Sequence, residues 1–176
     1  MVEDHDLRRL IAGRWLVPLM AHVAAEEGSR FAVMLNRLGL SRSALTASLA
    51  QLQQAGWLQR NAGHGHPLRP EYVLTPAGTP IAAFCAKVMA GRERLGIDPG
   101  QLPRWSLPVI SRLDRDPARF AAIRSALAPV TPRALSLTLK QMMSVDLVDR
   151  SLENQFPPTA IYGLTGRGRR LAEAMR

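Results

Sequence analysis

Three groups of residues in this 176-residue chain have types and spacing that invite chemistry. His64 and His66 stand one residue apart, as two ligands of a zinc ion can. A zinc site needs three or four protein ligands, and with no third donor in view the pair reads as a loop tip, not a metal site. Cys85, the single cysteine, excludes an internal disulfide and a cysteine zinc cluster, and its apolar neighbours make it a packed residue. No nucleophile is grouped with a base and an orienting acid, and no glycine-rich phosphate loop follows a strand, so an enzyme and a bound cofactor are not expected. The third group is Arg42, Ser43 and Thr46, with Arg133, Ser136 and Lys140 later in the chain. A guanidinium fork can pair with guanine or clamp phosphate, and hydroxyls can reach bases, phosphates or water.

These side chains need elements to aim them. "SRSALTASLAQLQQAGW" begins with Ser41, a good N-cap, and sets Leu45, Leu49 and Leu52 on one stripe before Gly56 closes the helix. The leucines face inward, which leaves Arg42, Ser43, Thr46 and Ala47 pointing outward near the N-terminal end. Thr131 caps a second such helix, with Pro132 in its first position and Leu135, Leu139 and Met142 on its stripe. Upstream, the spacing predicts a helix over 17–25, with Pro18 tolerable in its first turn. A further helix with Phe31, Met34, Leu35 and Leu38 on one face ends at Gly39. Downstream, "WLQRNA" and "PEYVLT" read as two strands around the polar turn "GHGHP", after which Thr75 and Pro76 start an exit helix reaching Arg94. Helix, helix, helix, hairpin, helix is a winged helix-turn-helix.

The chain is written twice. At an offset of 90, Arg14-Trp15 returns as Arg104-Trp105, Pro18 as Pro108, Leu49 as Leu139, and "YVLTPAG" from Tyr72 as "YGLTGRG" from Tyr162. Arg30-Phe31 returns as Arg119-Phe120 at an offset of 89. Trp, Pro, Tyr and Gly recurring in one order mark a duplication. The expected architecture is therefore mainly α with small β wings: tandem domains over 1–95 and 104–176, related by a pseudo-twofold, with a Gly- and Pro-rich linker over 96–103.

Composition narrows the partners. A net charge of +9, with arginine supplying 21 of the 23 basic residues, favours an anionic surface, duplex nucleic acid or acidic lipid. The excess leans to the C-terminal part, with 9 basic against 6 acidic residues in 1–90 and 14 against 8 in 91–176. No apolar run approaches the roughly 20 residues a membrane span needs, and the acidic start lacks the order of a secretion signal, so a cytoplasmic protein is expected. Aromatic residues, at 5%, are too few for a single-strand stacking platform.

The paired "RW", the "RF" opening the helix-turn-helix, the Ser-capped leucine helix and the wing ending in "Y-x-LT-x-x-G" together resemble the HxlR-type winged helix-turn-helix transcription regulators. The resemblance covers residues 14–89 and 104–175. It implies bacterial double-stranded DNA binding, usually by a homodimer that places two recognition helices in successive major grooves. It makes Arg42, Ser43, Thr46, Arg133, Ser136 and Lys140 candidates for base and phosphate contact, His64, His66 and Arg69 candidates for wing contacts, and Arg30 and Arg119 candidates for steadying the backbone. Three departures stand out. Both halves of a dimer are present in one chain, so a monomer acting as a pseudo-dimer is expected, with a homodimer open. Ala12-Gly13-Arg14 occupies the place of the cysteine some relatives use as a sensor. The second wing carries Asp149 and Glu153 and has no counterpart of Arg69. The competing readings are a protein-interaction scaffold, and a regulator with one DNA-reading and one interface-forming copy. Operator, direction of regulation and any small-molecule effector are left open.

Overall fold

In a computed structural model, residues 2–61, 70–153 and 158–176 are described. The chain divides into two compact units, Met1–Met89 and Ala90–Arg176. The first holds α1 (Asp4–Leu10), α2 (Leu16–Ala25), β1 (Ser29–Arg30), α3 (Phe31–Leu38), α4 (Arg42–Gln54), β2 (Leu58–Asn61), β3 (Glu71–Leu74) and most of α5 (Gly78–Arg94). The second holds the end of α5, a 3-10 turn at Pro99–Gln101, α6 (Ser106–Leu113), β4 (Ala118–Arg119), α7 (Phe120–Ala126), α8 (Pro132–Ser144), β5 (Val148–Glu153), β6 (Thr159–Leu164) and α9 (Gly166–Ala174). Both units are winged helices, as the repeat requires.

The helices start and stop for local reasons. Pro18 and Pro108 are the third residues of α2 and α6, where an N–H has no intrahelical acceptor to lose. The repeated "RW" stands just before them, with the Arg14 guanidinium 5.0 Å from the Trp15 ring centroid and Arg104 5.9 Å from Trp105. Each arginine thus covers a half-buried indole by a cation–π contact. On α3, Met34 is fully buried while Phe31, Leu35 and Leu38 are half-covered, and Gly39 ends the helix at φ +61°. Gly56 likewise follows α4 at φ +77°, but its counterpart in the second unit is Asp146 at φ +57°, a residue type that tolerates the left-handed region.

Each sheet has three antiparallel strands, in the orders β1-β3-β2 and β4-β6-β5. The hairpin strands match expectation; β1 and β4 are additional. Ser29 and Arg30 pair with Tyr72 and Glu71, and Ala118 and Arg119 with Tyr162 and Ile161, so a two-residue strand ties the start of α3 or α7 to the wing. Another addition is α1, whose Leu7 and Leu10 are buried.

The core of each unit sits behind its capped helix. Leu45, Leu49 and Leu52 are buried in one, with Leu19, Met20, Val23 and Met34. Leu135, Leu139 and Met142 are buried in the other, packed with Val109, Ile110 and Ile123. Every such side chain contributes about 1.5–3 kcal/mol. The last turn of α5 belongs to this second core region: Gly91 packs closely against Ala174 of α9, and Arg167 donates to the Leu95 carbonyl at 2.6 Å. Ile97, within the Gly- and Pro-rich stretch, is buried there too. Arg92 is 8% exposed and donates to the Ile97 carbonyl at 3.4 Å. Burial pushes its guanidinium below the ordinary arginine value, and Asp98 opposes that shift.

The returning Thr-x-x-Gly motif is a clip. Thr75 Oγ1 donates to the Gly56 carbonyl at 2.6 Å and accepts from Gly78 N–H at 3.0 Å. Thr165 Oγ1 does the same with the Asp146 carbonyl at 2.6 Å and Gly168 N–H at 3.0 Å. One hydroxyl thereby caps the exit helix and ties it to the end of the leucine-striped helix. The regular part of α5 accordingly begins at Gly78, three residues after the expected cap.

Candidate nucleic-acid interface

The leucine-striped helices carry matching faces. Ser41 Oγ accepts from Ala44 N–H at 3.2 Å, and Thr131 Oγ1 accepts from Ala134 N–H at 3.2 Å. Both caps are extended, so the chain enters each helix from the side and leaves its first turn exposed. The inward row is longer than the leucines alone. Ser48 and Thr138 are buried among them, their hydroxyls donating to the carbonyls of Ala44 (2.8 Å) and Ala134 (2.9 Å), which satisfies a polar group inside an apolar face.

With residues 45, 48, 49, 52 and 135, 138, 139, 142 turned inward, the opposite row is exposed in both units. On α4 it is Ser43, Thr46, Ala47 and Ala50, with Arg42 beside it. On α8 it is Arg133, Ser136, Leu137 and Lys140, with Pro132 beside it. Arg42, Ser43, Thr46, Arg133, Ser136 and Lys140 are thus all brought to exposed faces. Arg42 and Arg133 are not equivalent positions, however: Arg42 corresponds to Pro132, and Arg133 to Ser43. The α4 face is small and carries one cation; the α8 face carries two, with a leucine between them. Among the described residues none forms an ion pair with Arg42, Arg133 or Lys140. Ser43 is already engaged with Ser41, their hydroxyls 3.1 Å apart.

Leu137 is a residue the sequence reading passed over. Its i+4 spacing from Arg133 was the available signal, hidden because a leucine among leucines reads as core.

The remaining candidates fare differently. Arg30 stands one residue before α3, on β1, where its Nε donates to Glu71 Oε1 at 2.9 Å across the sheet. Its charge is therefore partly neutralised. Arg119 takes the corresponding place on β4. His64, His66 and Arg69 lie outside the described residues.

In the second unit, Gly163 replaces Val73, and a cleft of about 310 Å³ opens beside it between the 113–117 loop, the hairpin and α9. Three aspartates line it. Asp114 is bound by Arg176 Nη2 at 2.9 Å to both oxygens and Asp116 by Arg112 at 2.9 Å, so their charges are engaged, and Asp149 lies exposed at the rim.

Cys85 is fully buried on α5, and burial pushes its thiol far above the ordinary cysteine range. The nucleophilic thiolate is thus suppressed across physiological pH, the opposite of what a redox sensor needs. A maleimide or mild oxidant is expected to leave native Cys85 unmodified over hours at pH 7.5 and to label it fully in denaturant. Mass spectrometry checks this; rapid native labelling would contradict the burial.

The family profile described as HxlR-like helix-turn-helix matches residues 10–94 and again 102–176. Among curated relatives, an uncharacterized HTH-type transcriptional regulator of Synechocystis sp. is 29% identical over 68 residues, 39% of this chain and 50% of its own. One of Methanothermobacter thermautotrophicus is 30% identical over 66 residues, 38% of this chain and 50% of its own. The chain spans about half the length of the curated relatives it matches. Among solved structures, diamide-treated YodB from B. subtilis is 27% identical, with a TM-score of 0.39, 40% of this chain and 70% of that one covered. A MarR-family transcriptional regulator from Enterococcus faecalis V583 is 26% identical, with a TM-score of 0.40 and coverage of 57% and 80%. Since the profile spans nearly the whole sequence in two successive matches, the chain belongs to the HxlR-like helix-turn-helix family and carries that domain twice.

Proposed function

We propose that this protein is a sequence-specific, double-stranded DNA-binding transcriptional regulator of the cytoplasm, in which two fused winged helices act as an intramolecular pseudo-dimer. The observation that carries this reading is the pair of Ser- and Thr-capped helices with the same buried row and an exposed first turn, where Arg42 on one and Arg133 on the other have no described carboxylate to neutralise them. The N-terminal part of such a helix is what a helix-turn-helix offers to base edges in the major groove. The net charge of +9 supplies the general attraction to phosphate, for which a protein-docking scaffold has no need. The relatives named as HTH-type transcriptional regulators support the same class.

Because the two outward faces differ, the half-sites differ, and the operator is an imperfect palindrome. The test is a binding selection on random duplex DNA followed by footprinting of the selected site. Two engaged helices protect half-sites about one helical turn, roughly 10 base pairs, apart. A footprint confined to one half-site would instead leave a single DNA-reading copy and assign the other to an interface. Absence of any sequence preference would favour a docking role.

A further inference from the structure

Among the described residues, Leu137 is 58% exposed, an apolar side chain left in water on a helix whose other leucines are buried. An isolated exposed leucine needs no explanation by itself. Its place does: it is the third member of the outward row Arg133, Ser136, Leu137, Lys140, at spacings of i, i+3, i+4 and i+7, one side of a continuous helix. The matched row on α4 puts Ala47 at the same position, with the same inward pattern behind it. The fold is thus indifferent to what stands at this point, and the difference between alanine and leucine faces outward.

We infer that Leu137 is a specificity-determining residue of the second recognition helix, reading the 5-methyl group of thymine in its half-site. The inference rests on the proposed DNA-binding function and sharpens it. The cations on either side direct this face to a polyanion: Arg133 precedes the leucine by about one turn and Lys140 follows it by just under one, so both flank it when the helix lies along a groove. In the major groove the thymine methyl is the apolar feature a base pair presents, and an aliphatic side chain is its natural contact. Ala47 reaches less far from its helix axis, so the first half-site lacks this contact and the two half-sites diverge at that base pair. A protein partner is the less favoured occupant, since a docking face centred on one leucine would bury two cations with it, and charge is depleted at the core of such interfaces.

The experiment begins with the full chain and the duplex selected above. Each thymine in turn is replaced by deoxyuridine, which removes the methyl and nothing else, and affinity is measured for the wild type and for Leu137→Ala. One thymine in a single half-site is expected to weaken wild-type binding about fourfold on losing its methyl, with no effect on Leu137→Ala. Because Leu137 is exposed, the variant should retain the wild-type thermal midpoint, which serves as the folding control. If sequence preference persists but no thymine is methyl-sensitive in a Leu137-dependent way, the inference fails and the regulator reading stands. If the wild type shows no preference among duplexes, the regulator reading fails and takes the inference with it. Should Leu137→Ala abolish self-association of the free protein while leaving methyl sensitivity intact, the leucine belongs to a protein interface.

Discussion

Replacing Gly168 by alanine is expected to unfold the second unit at a denaturant concentration well below wild type, at a cost of about 3 kcal/mol or more. A methyl at Gly168 would run into the carbonyl of Leu147, and one at Gly78 into the carbonyl of Trp57. Backbone atoms, unlike the ends of long side chains, have nowhere to move: Thr165 N–H donates to that Leu147 carbonyl at 3.2 Å, as Thr75 N–H does to Trp57 at 3.0 Å. The exit helix therefore cannot back away without breaking the clip that holds it. Gly168→Ala and Gly78→Ala should behave alike, whereas Thr165→Val, which removes the cap and the bond to Asp146 but adds no clash, should cost only about 1–2 kcal/mol. Urea titrations of the three variants check the order. If Gly168→Ala melted like wild type, the close approach of α9 to the end of α8 would be wrong.

The second large effect is on salt. If about six to ten phosphates are neutralised, affinity for the selected duplex should fall by about three to five orders of magnitude between roughly 50 and 200 mM salt. The individual cations should separate by role. Arg133→Ala, in the first turn of α8, is expected to cost about 1–3 kcal/mol and to relax preference at one base pair. Lys140→Ala, farther along the same row, should weaken all duplexes about equally and reduce the salt slope by about 1. Arg42→Ala tests the first half-site in the same way. Arg30→Ala should change binding less than Arg42→Ala or Arg133→Ala, because Glu71 already holds that side chain. Fluorescence anisotropy across a salt series measures every one of these. A slope near zero for the wild type would remove the electrostatic basis of the proposed function.

Much of this protein could be read along the chain. Caps at Ser41 and Thr131, the inward leucine rows and the exposed residues opposite them follow from the 3.6-residue period and from side chains reaching backbone groups three positions away, which are short-range effects. The repeat itself needed only the comparison of the chain with itself. What the sequence could not supply depends on contacts between distant residues. A strand of two residues such as Ser29–Arg30 has no period to detect and exists because Tyr72 and Glu71 come to lie beside it. The pairing of Arg30 with Glu71 follows from that register, so the charge left for a partner was settled by the sheet. Asp146 follows α8 in a left-handed conformation where the first unit has Gly56, and nothing local in the sequence marks an aspartate for that role. Gly78 and Gly168 recur because two backbones meet there. Leu137, at i+4 from Arg133 and off the stripe of Leu135 and Leu139, was within reach of the helical period, but a leucine among leucines reads as core until the packing leaves it in solvent.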